Sequence, residues 1–360
     1  MKILVTGASG FVGGRFARFA LEQGLSVRIN GRRADPEATL VERGAEFVQG
    51  DLADLQLTQE LCRGVDAVVH CAGAVGLWGP YARFYQGNVT VTENIIQGCL
   101  TQNVRRLLQL SSPSVYFDGK AHVGLREEQI PRRFFDHYGA TKYLAEQRVL
   151  AAAEMGLEVL ALRPRFVTGA GDNSLFPRLI EMQRNGVLSI IGKGDNQVDF
   201  TSMQNLNDAL FSGLLAGPQA LGKVYNISNG NPVPLWQVVN HALTQFGLPP
   251  VKRRIPYAVG YALAALNETV CKILPGKPEP KLSRLGMAVM AQDFSLDISQ
   301  ARTLLDYDPQ VSVFAAVEEF SQWYKAQSQP FVDFAAPAPP AAGGSRYTAR
   351  LSDDRLRPKV

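Results

Sequence analysis

Thr6-Gly7-Ala8-Ser9-Gly10-Phe11-Val12-Gly13 follows the apolar run Ile3-Leu4-Val5 and leads into Arg15-Phe16-Ala17-Arg18-Phe19-Ala20-Leu21-Glu22-Gln23, which Gly24 ends. The run reads as a buried strand and the later stretch as a helix. A glycine turn between them lets backbone N–H groups approach a diphosphate, and the helix N-terminus adds partial positive charge. The spacing is Gly-x-x-Gly-x-x-Gly rather than Gly-x-Gly-x-x-Gly. A glycine string alone would also suit a helix start that needs small residues. The strand before it and the helix after it favour a dinucleotide site.

Outward from this turn, strand signals recur at 26–29, 46–48, 67–69, 106–110 and 157–162, separated by helical patterns that include 81–102 and 135–155. Such alternation predicts an α/β fold with a doubly wound parallel sheet, whose ligands sit beyond the carboxyl ends of the strands. After Pro164 glycine and proline become frequent and the helical stretches shorten (175–185, 205–215, 235–246). The expected organisation is a dinucleotide-binding domain over 1–165, to which later segments return, and a smaller substrate lobe over most of 166–330. The alanine- and proline-rich 335–360 has no apolar period and is expected to be a disordered tail.

The net charge of +4 comes from basic residues in short clusters such as Arg105-Arg106 and Lys252-Arg253-Arg254, which speaks against a nucleic-acid partner. Cys62, Cys71, Cys99 and Cys271 show no Cys-x-x-Cys spacing, and the four histidines form no ligand pattern, so no metal is expected. The chain starts on its first strand, without a signal peptide, and a reduced, cytoplasmic protein is expected. The apolar segment 255–274 is interrupted by Asn267, Glu268 and Lys272, which argues against a membrane span. It reads as a lobe helix on the core; walling an apolar substrate pocket and peripheral membrane contact are the sharper alternatives.

Two stretches carry candidate chemistry. In Tyr138-Gly139-Ala140-Thr141-Lys142 the tyrosine and lysine share a helix face. An ammonium beside a phenol favours the phenolate and would lower the tyrosine pKa, as proton exchange with a carbonyl requires. Tyr-x-x-x-Lys is common by chance and gains weight only beside the glycine turn. Ser111-Ser112-Pro113-Ser114-Val115-Tyr116 follows a strand and places hydroxyls where they can hold a substrate oxygen; no Gly-x-Ser-x-Gly elbow surrounds them.

Together with Gly50-Asp51-Leu52, His70-Cys71-Ala72-Gly73, Asn88-Val89-x-x-Thr92-x-Asn94 and Leu162-Arg163-Pro164, these motifs make residues 1 to about 325 resemble an extended short-chain dehydrogenase/reductase. The resemblance implies Tyr138 as general acid/base, Lys142 on the nicotinamide ribose, and Ser112 as the catalytic serine with Ser114 as the second choice. It implies that Gly7, Ser9, Gly10, Phe11, Val12 and Gly13 hold the diphosphate, Asp51 and Leu52 frame the adenine, and Ala72 and Gly73 pass behind the adenosine ribose. Pro164 would lie by the nicotinamide, and Asn88 would order the helix facing the site. Softer motifs, among them Phe166-Val167-x-Gly169-x-Gly171-Asp172 and Pro280-Lys281-Leu282-Ser283-Arg284, resemble the 3β-hydroxysteroid dehydrogenase branch, which includes bacterial reductases of 2-alkyl-3-ketoalkanoic acids.

The second strand ends in Asn30-Gly31-Arg32-Arg33, where members that prefer NAD carry an acid for the ribose 2′-hydroxyl. Two guanidinium groups and no carboxylate favour NADP(H), with NAD(H) second. The expected activity is interconversion of a ketone and a secondary alcohol on a bulky apolar small molecule, a sterol-like ring or a long-chain 3-keto acid. The alternatives are a nucleotide-sugar epimerase or dehydratase of the same superfamily and a non-catalytic NADP sensor. A homodimer through the helices at 81–102 and 135–155 is a further implication of the resemblance.

Overall fold

The computed structural model of the protein describes residues 1–32, 38–76, 78–276 and 278–327. Arg33 and the 335–360 tail lie outside the described residues. The first half runs β1 (Lys2–Thr6), α1 (Phe11–Glu22), β2 (Ser26–Gly31), α2 (Ala38–Glu42), β3 (Glu46–Gln49), α3 (Leu55–Cys62), β4 (Ala67–His70), α4 (Tyr81–Phe84), a π-helical segment (Tyr85–Thr90), α5 (Val91–Thr101), β5 (Arg106–Leu110), a 3-10 turn (Pro113–Tyr116), β6 (His122–Leu125), α6 (His137–Ala151) and β7 (Glu158–Pro164). The second half runs β8 (Val167–Thr168), α7 (Leu175–Arg184), β9 (Ile190–Ile191), β10 (Gln197–Val198), β11 (Thr201–Ser202), α8 (Met203–Leu214), β12 (Lys223–Ile227), β13 (Val233–Pro234), α9 (Leu235–Gln245), β14 (Arg254–Ile255), α10 (Tyr257–Ile273), α11 (Arg284–Ala291), β15 (Phe294–Leu296), α12 (Ser299–Leu305) and α13 (Val313–Gln327).

Seven parallel strands form the main sheet in the order β12-β7-β5-β4-β1-β2-β3. Its central strands are apolar on both faces because helices cover both, as parallel crossovers require. Leu4, Val68, Leu107 and Val159 pack toward Ile95 of α5 and Val149 of α6. Ile3, Val5, Val69, Leu108 and Leu160 pack toward Phe16 of α1 and Leu210 of α8 on the other face. The chain order reverses between β1 and β4, and that switch point opens a crevice at the strands' carboxyl ends.

β12 returns to this sheet from the second half, pairing Val224 with Ala161 of β7. A second sheet, β13-β10-β15-β6, joins late segments to residues 122–125 beyond the sheet's carboxyl edge. A separate core around Phe176, Trp236 and Phe320 holds α7, α9 and α13 together. α10 buries Gly260, Ala264, Glu268 and Cys271 and leaves Val259, Leu263, Leu266, Val270 and Ile273 exposed. Among the described residues no helix is long and apolar enough to cross a membrane.

Candidate active site

The turn between β1 and α1 has the geometry a diphosphate needs. Gly7 adopts φ +68°, and a Cβ there would lie 2.7 Å from the Ala72 nitrogen. A Cβ on Gly13 would lie 2.5 Å from the Gly7 carbonyl oxygen. These two glycines therefore close the turn against β4's exit. Gly10, the N-cap of α1, makes no side-chain cap, so the first N–H groups of the helix remain available to an anion. Ser9 and Gly10 are exposed, with Phe11 and Val12 half-buried beside them. The open helix end and the crevice fit a dinucleotide.

A chain of hydrogen bonds links this turn to the Tyr138 helix. Thr6 Oγ1 accepts the Ala72 N–H (3.2 Å) and meets His70 Nδ1 at 2.8 Å, while His70 Nε2 meets Thr92 Oγ1 at 3.1 Å. Complete burial holds the His70 pKa down at about 3, with Lys142 adding to the effect, so the ring is a neutral link. Thr92 Oγ1 donates to the Asn88 carbonyl. The Asn88 side chain accepts the Ala74 N–H (2.8 Å) and donates to Ala74 O and to Thr141 Oγ1 (3.0 Å). Asn88 sits in the π-helical segment, a backbone form that concentrates at functional sites.

α6 starts at Asp136, whose carboxylate accepts the Gly139 N–H at 2.6 Å. That cap fixes the turn carrying Tyr138. The Ser112 side chain acts on the Tyr138 phenol and favours its charged form. Ser112 Oγ accepts from the Ser114 N–H and from Ser114 Oγ (2.9 Å), which leaves its own proton for the tyrosine oxygen. The structure thus brings Ser112 to Tyr138 and sets Ser114 behind it. Lys142 is 6% exposed and donates from Nζ to the Leu110 carbonyl at 2.7 Å. A Cβ on Gly73 would come within 3.8 Å of that Nζ, so the β4 exit and the lysine share one wall of the crevice. Pro164 ends β7 beside them.

The electrostatics differ from the sequence expectation at one point. Lys142 does not lower the Tyr138 pKa here; burial raises it above the ordinary phenol value, Asp136 adds to the rise, and Ser112 offsets part of it. Burial also pulls Lys142 down, to about 8, although Glu146 and Cys71 favour its charge. The lysine is turned to the Leu110 carbonyl, which explains its small influence on the phenol.

At the adenosine end, Asn30 is buried and its amide donates to the Val48 and Gly50 carbonyls, so it braces β3. Arg32 is exposed at the end of β2. Asp51 is exposed, its carboxylate accepting the Ala53 N–H, and Leu52 is buried beside it.

Three contributors were not legible beforehand. Thr141 ties Asn88 to α6. Glu146 (0% exposed) pairs with Arg163 (2%) and accepts from Ser111 Oγ, fixing α6 to β5 and β7. Arg165, directly after Pro164, is buried with Nε and Nη2 lacking partners, and Phe166 beside it adopts φ +40°. A charged residue at a strand's carboxyl end was the signal available in the sequence.

The NAD dependent epimerase/dehydratase family matches residues 3–228. The 2-alkyl-3-oxoalkanoate reductase of Stenotrophomonas maltophilia is 39% identical over 319 residues, covering 87% of this chain and 96% of the relative. The decarboxylating sterol-4-alpha-carboxylate 3-dehydrogenase of Mus musculus is 30% identical, covering 89% and 90% of the two chains. The UDP-glucuronic acid 4-epimerase of Bacillus cereus, solved with NAD, superposes with a TM-score of 0.71 at 22% identity, covering 90% of this chain and 96% of that one, a likeness of fold.

Proposed function

The chain belongs to the NAD-dependent epimerase/dehydratase family, and we propose that it is an oxidoreductase interconverting a ketone and a secondary alcohol on a bulky apolar substrate, either sterol-like or a long-chain 3-keto acid, with NADP(H) preferred to NAD(H). The observation that carries this reading is that Ser112, which leaves the carboxyl end of β5, acts on the Tyr138 phenol of α6, with Lys142 four residues on along the same helix. The bound nicotinamide supplies or accepts the hydride. Gly7, Gly10 and Gly13 would hold the diphosphate, Asp51 and Leu52 would frame the adenine, Ala72 and Gly73 would pass behind the adenosine ribose, and Pro164 would lie by the nicotinamide. Ser112 holds the substrate oxygen. Tyr138 gives its proton to that oxygen in reduction and takes it back in oxidation. Lys142 places a positive charge and a donor at the ribose side, and the buried setting keeps water from the reacting carbon.

The preference for the phosphorylated cofactor rests on Arg32, on Arg33 in the sequence, and on the absence of a carboxylate at the end of β2. The nucleotide-sugar alternative has the breadth of the family and a likeness of fold behind it, whereas relatives at 39% and 30% identity carry reductase and dehydrogenase names. Replacement of Tyr138 by Phe tests the chemistry: turnover is expected to fall by about 10²-fold or more with cofactor affinity retained. Retention of most of the turnover refutes the assignment. Titration with NADPH and NADH, on wild type and on Arg32→Ala, tests the cofactor preference.

A further inference from the structure

We propose that α10 docks the protein on a membrane surface rich in anionic phospholipid, with its exposed apolar stripe in the lipid and the basic residues around it on the headgroups. The docking is independent of the reaction assigned above.

Helical pitch sets the stripe. Val259, Leu263, Leu266, Val270 and Ile273 follow one another at intervals of four, three, four and three residues, which puts them on one side of a helix about 25 Å long. They are between 46% (Val270) and 78% (Ile273) exposed, and Leu274 extends the row. Ala262 is the other residue on that side, so no polar group interrupts it. The opposite side holds the helix to the protein. Gly260, Ala264, Glu268 and Cys271 are buried there, and a Cβ on Gly260 would lie 3.2 Å from Met287 Sδ of α11. A contiguous apolar row left outside the core in this way marks a contact with another body.

Charge decides which body. Residues 252–284 carry seven lysines and arginines against two glutamates, a net +5 in a chain whose total is +4, so the remainder sums to −1. Glu268 does not oppose an anion: it is buried, and its two oxygens accept from the Arg284 N–H (2.7 Å) and Nε (2.8 Å). Lys252 and Arg253 are exposed just before the helix, and Lys272 is exposed in its last turn. A second copy seated on the same stripe would bring +5 against +5. An anionic bilayer accepts the apolar side chains and the cations together, and long basic side chains reach headgroups while their stems stay in the apolar layer. With 17 residues and one apolar side, α10 lies along the surface rather than across the bilayer.

The docked face also borders the crevice. Lys272 Nζ lies 5.8 Å from the Trp78 ring centroid. Trp78 precedes α4, whose Phe84 ring lies 6.3 Å from that of Tyr138. An apolar molecule leaving the lipid at this end of α10 meets the side of the crevice that holds the phenol.

The experiment is flotation of the full chain with vesicles of phosphatidylcholine alone and of phosphatidylcholine with about 30% phosphatidylglycerol, at about 0.1 M and about 0.5 M NaCl. Wild type is expected to bind the anionic vesicles about tenfold or more tightly than the neutral ones, and to lose most of that gain at the higher salt. Lys252→Gln/Arg253→Gln removes two cations at about fivefold each, so binding should fall by about tenfold or more. Leu263→Glu/Leu266→Glu puts carboxylates in the stripe and should abolish binding; both positions are exposed, so Tm should hold. Wild type that does not float with the anionic vesicles overturns the proposal. Binding that survives both variants overturns it too, because another basic segment of the chain would then hold the vesicle. Sedimentation velocity without vesicles tests the rival occupant: a dimer that Leu263→Glu/Leu266→Glu splits gives the stripe to a second copy and overturns lipid docking.

Discussion

Replacing Lys142 by Met removes a buried charge with little change of volume. The ammonium is 6% exposed and its pKa lies at about 8 against an ordinary 10.5. Converted at about 1.4 kcal/mol per pH unit, that gap amounts to ~3 kcal/mol of stability withheld from the folded wild type when the lysine is charged. A base whose folded pKa is lowered binds fewer protons folded than unfolded between the two values. Wild-type stability therefore rises as pH climbs from about 8 toward 10.5, and the part due to Lys142 is absent from the variant. The Leu110 carbonyl loses its donor in Lys142→Met, a cost of about 1–3 kcal/mol that does not depend on pH. Urea denaturation followed by tryptophan fluorescence at several pH values from 7 to 10 measures both proteins, and their difference cancels the titration of every other group. The difference, wild type minus variant, should climb by most of that ~3 kcal/mol across the window. A flat difference would refute the claim that burial, rather than an ion pair, governs this lysine. Activity should fall in the variant whichever way stability moves, which separates the cost of the charge from its use.

Glu146→Gln should destabilise the fold by about 3–5 kcal/mol, because Arg163 keeps its charge while buried, and the double replacement Glu146→Leu/Arg163→Met should cost less than the sum of the single ones in urea titrations. Gly13→Ala pushes a methyl group toward the Gly7 carbonyl at 2.5 Å. It should cost about 1–3 kcal/mol and weaken NADPH binding in a fluorescence titration. Asn88→Ala removes the ties to Ala74 and Thr141, so Tm should fall and the KM for cofactor should rise more than kcat changes; an unaltered cofactor KM would show that the β4 exit holds itself.

The parts of the site that were legible in the sequence are the local ones. A strand, a glycine turn and a helix follow one another directly from Lys2 to Glu22, so backbone propensity alone places the cradle. Tyr138 and Lys142 are separated by a helical repeat, so their shared face follows from pitch. What sequence could not show depends on distant partners. The influence of Lys142 on Tyr138 depends on where Nζ points, and the Leu110 carbonyl from another strand takes it. Lys223–Ile227 finds its place in the main sheet only through pairing with β7. The burial of Arg165 depends on Phe294, far along the chain, which lies against its guanidinium. The π-helical stretch escaped notice because a six-residue change of pitch leaves the apolar pattern of 81–102 almost intact.

That π-helical stretch sets a rule for tolerated insertions and deletions. Within Tyr85–Thr90 the helix is wound wider than the α form on either side. Excising one residue before Asn88, for instance Gly87, would let the backbone relax to ordinary α pitch and would cost little as helix. It would also remove the bulge that sets how Phe84 is turned and spaced relative to Asn88. Either the Asn88 amide would swing away from Ala74, or Phe84 would leave its place against Tyr138, 6.3 Å between ring centroids. Spacing between Phe84 and Asn88 is thus held by two clients at once, and a gap in this segment should mark a descendant of the fold whose catalytic wall has been rebuilt.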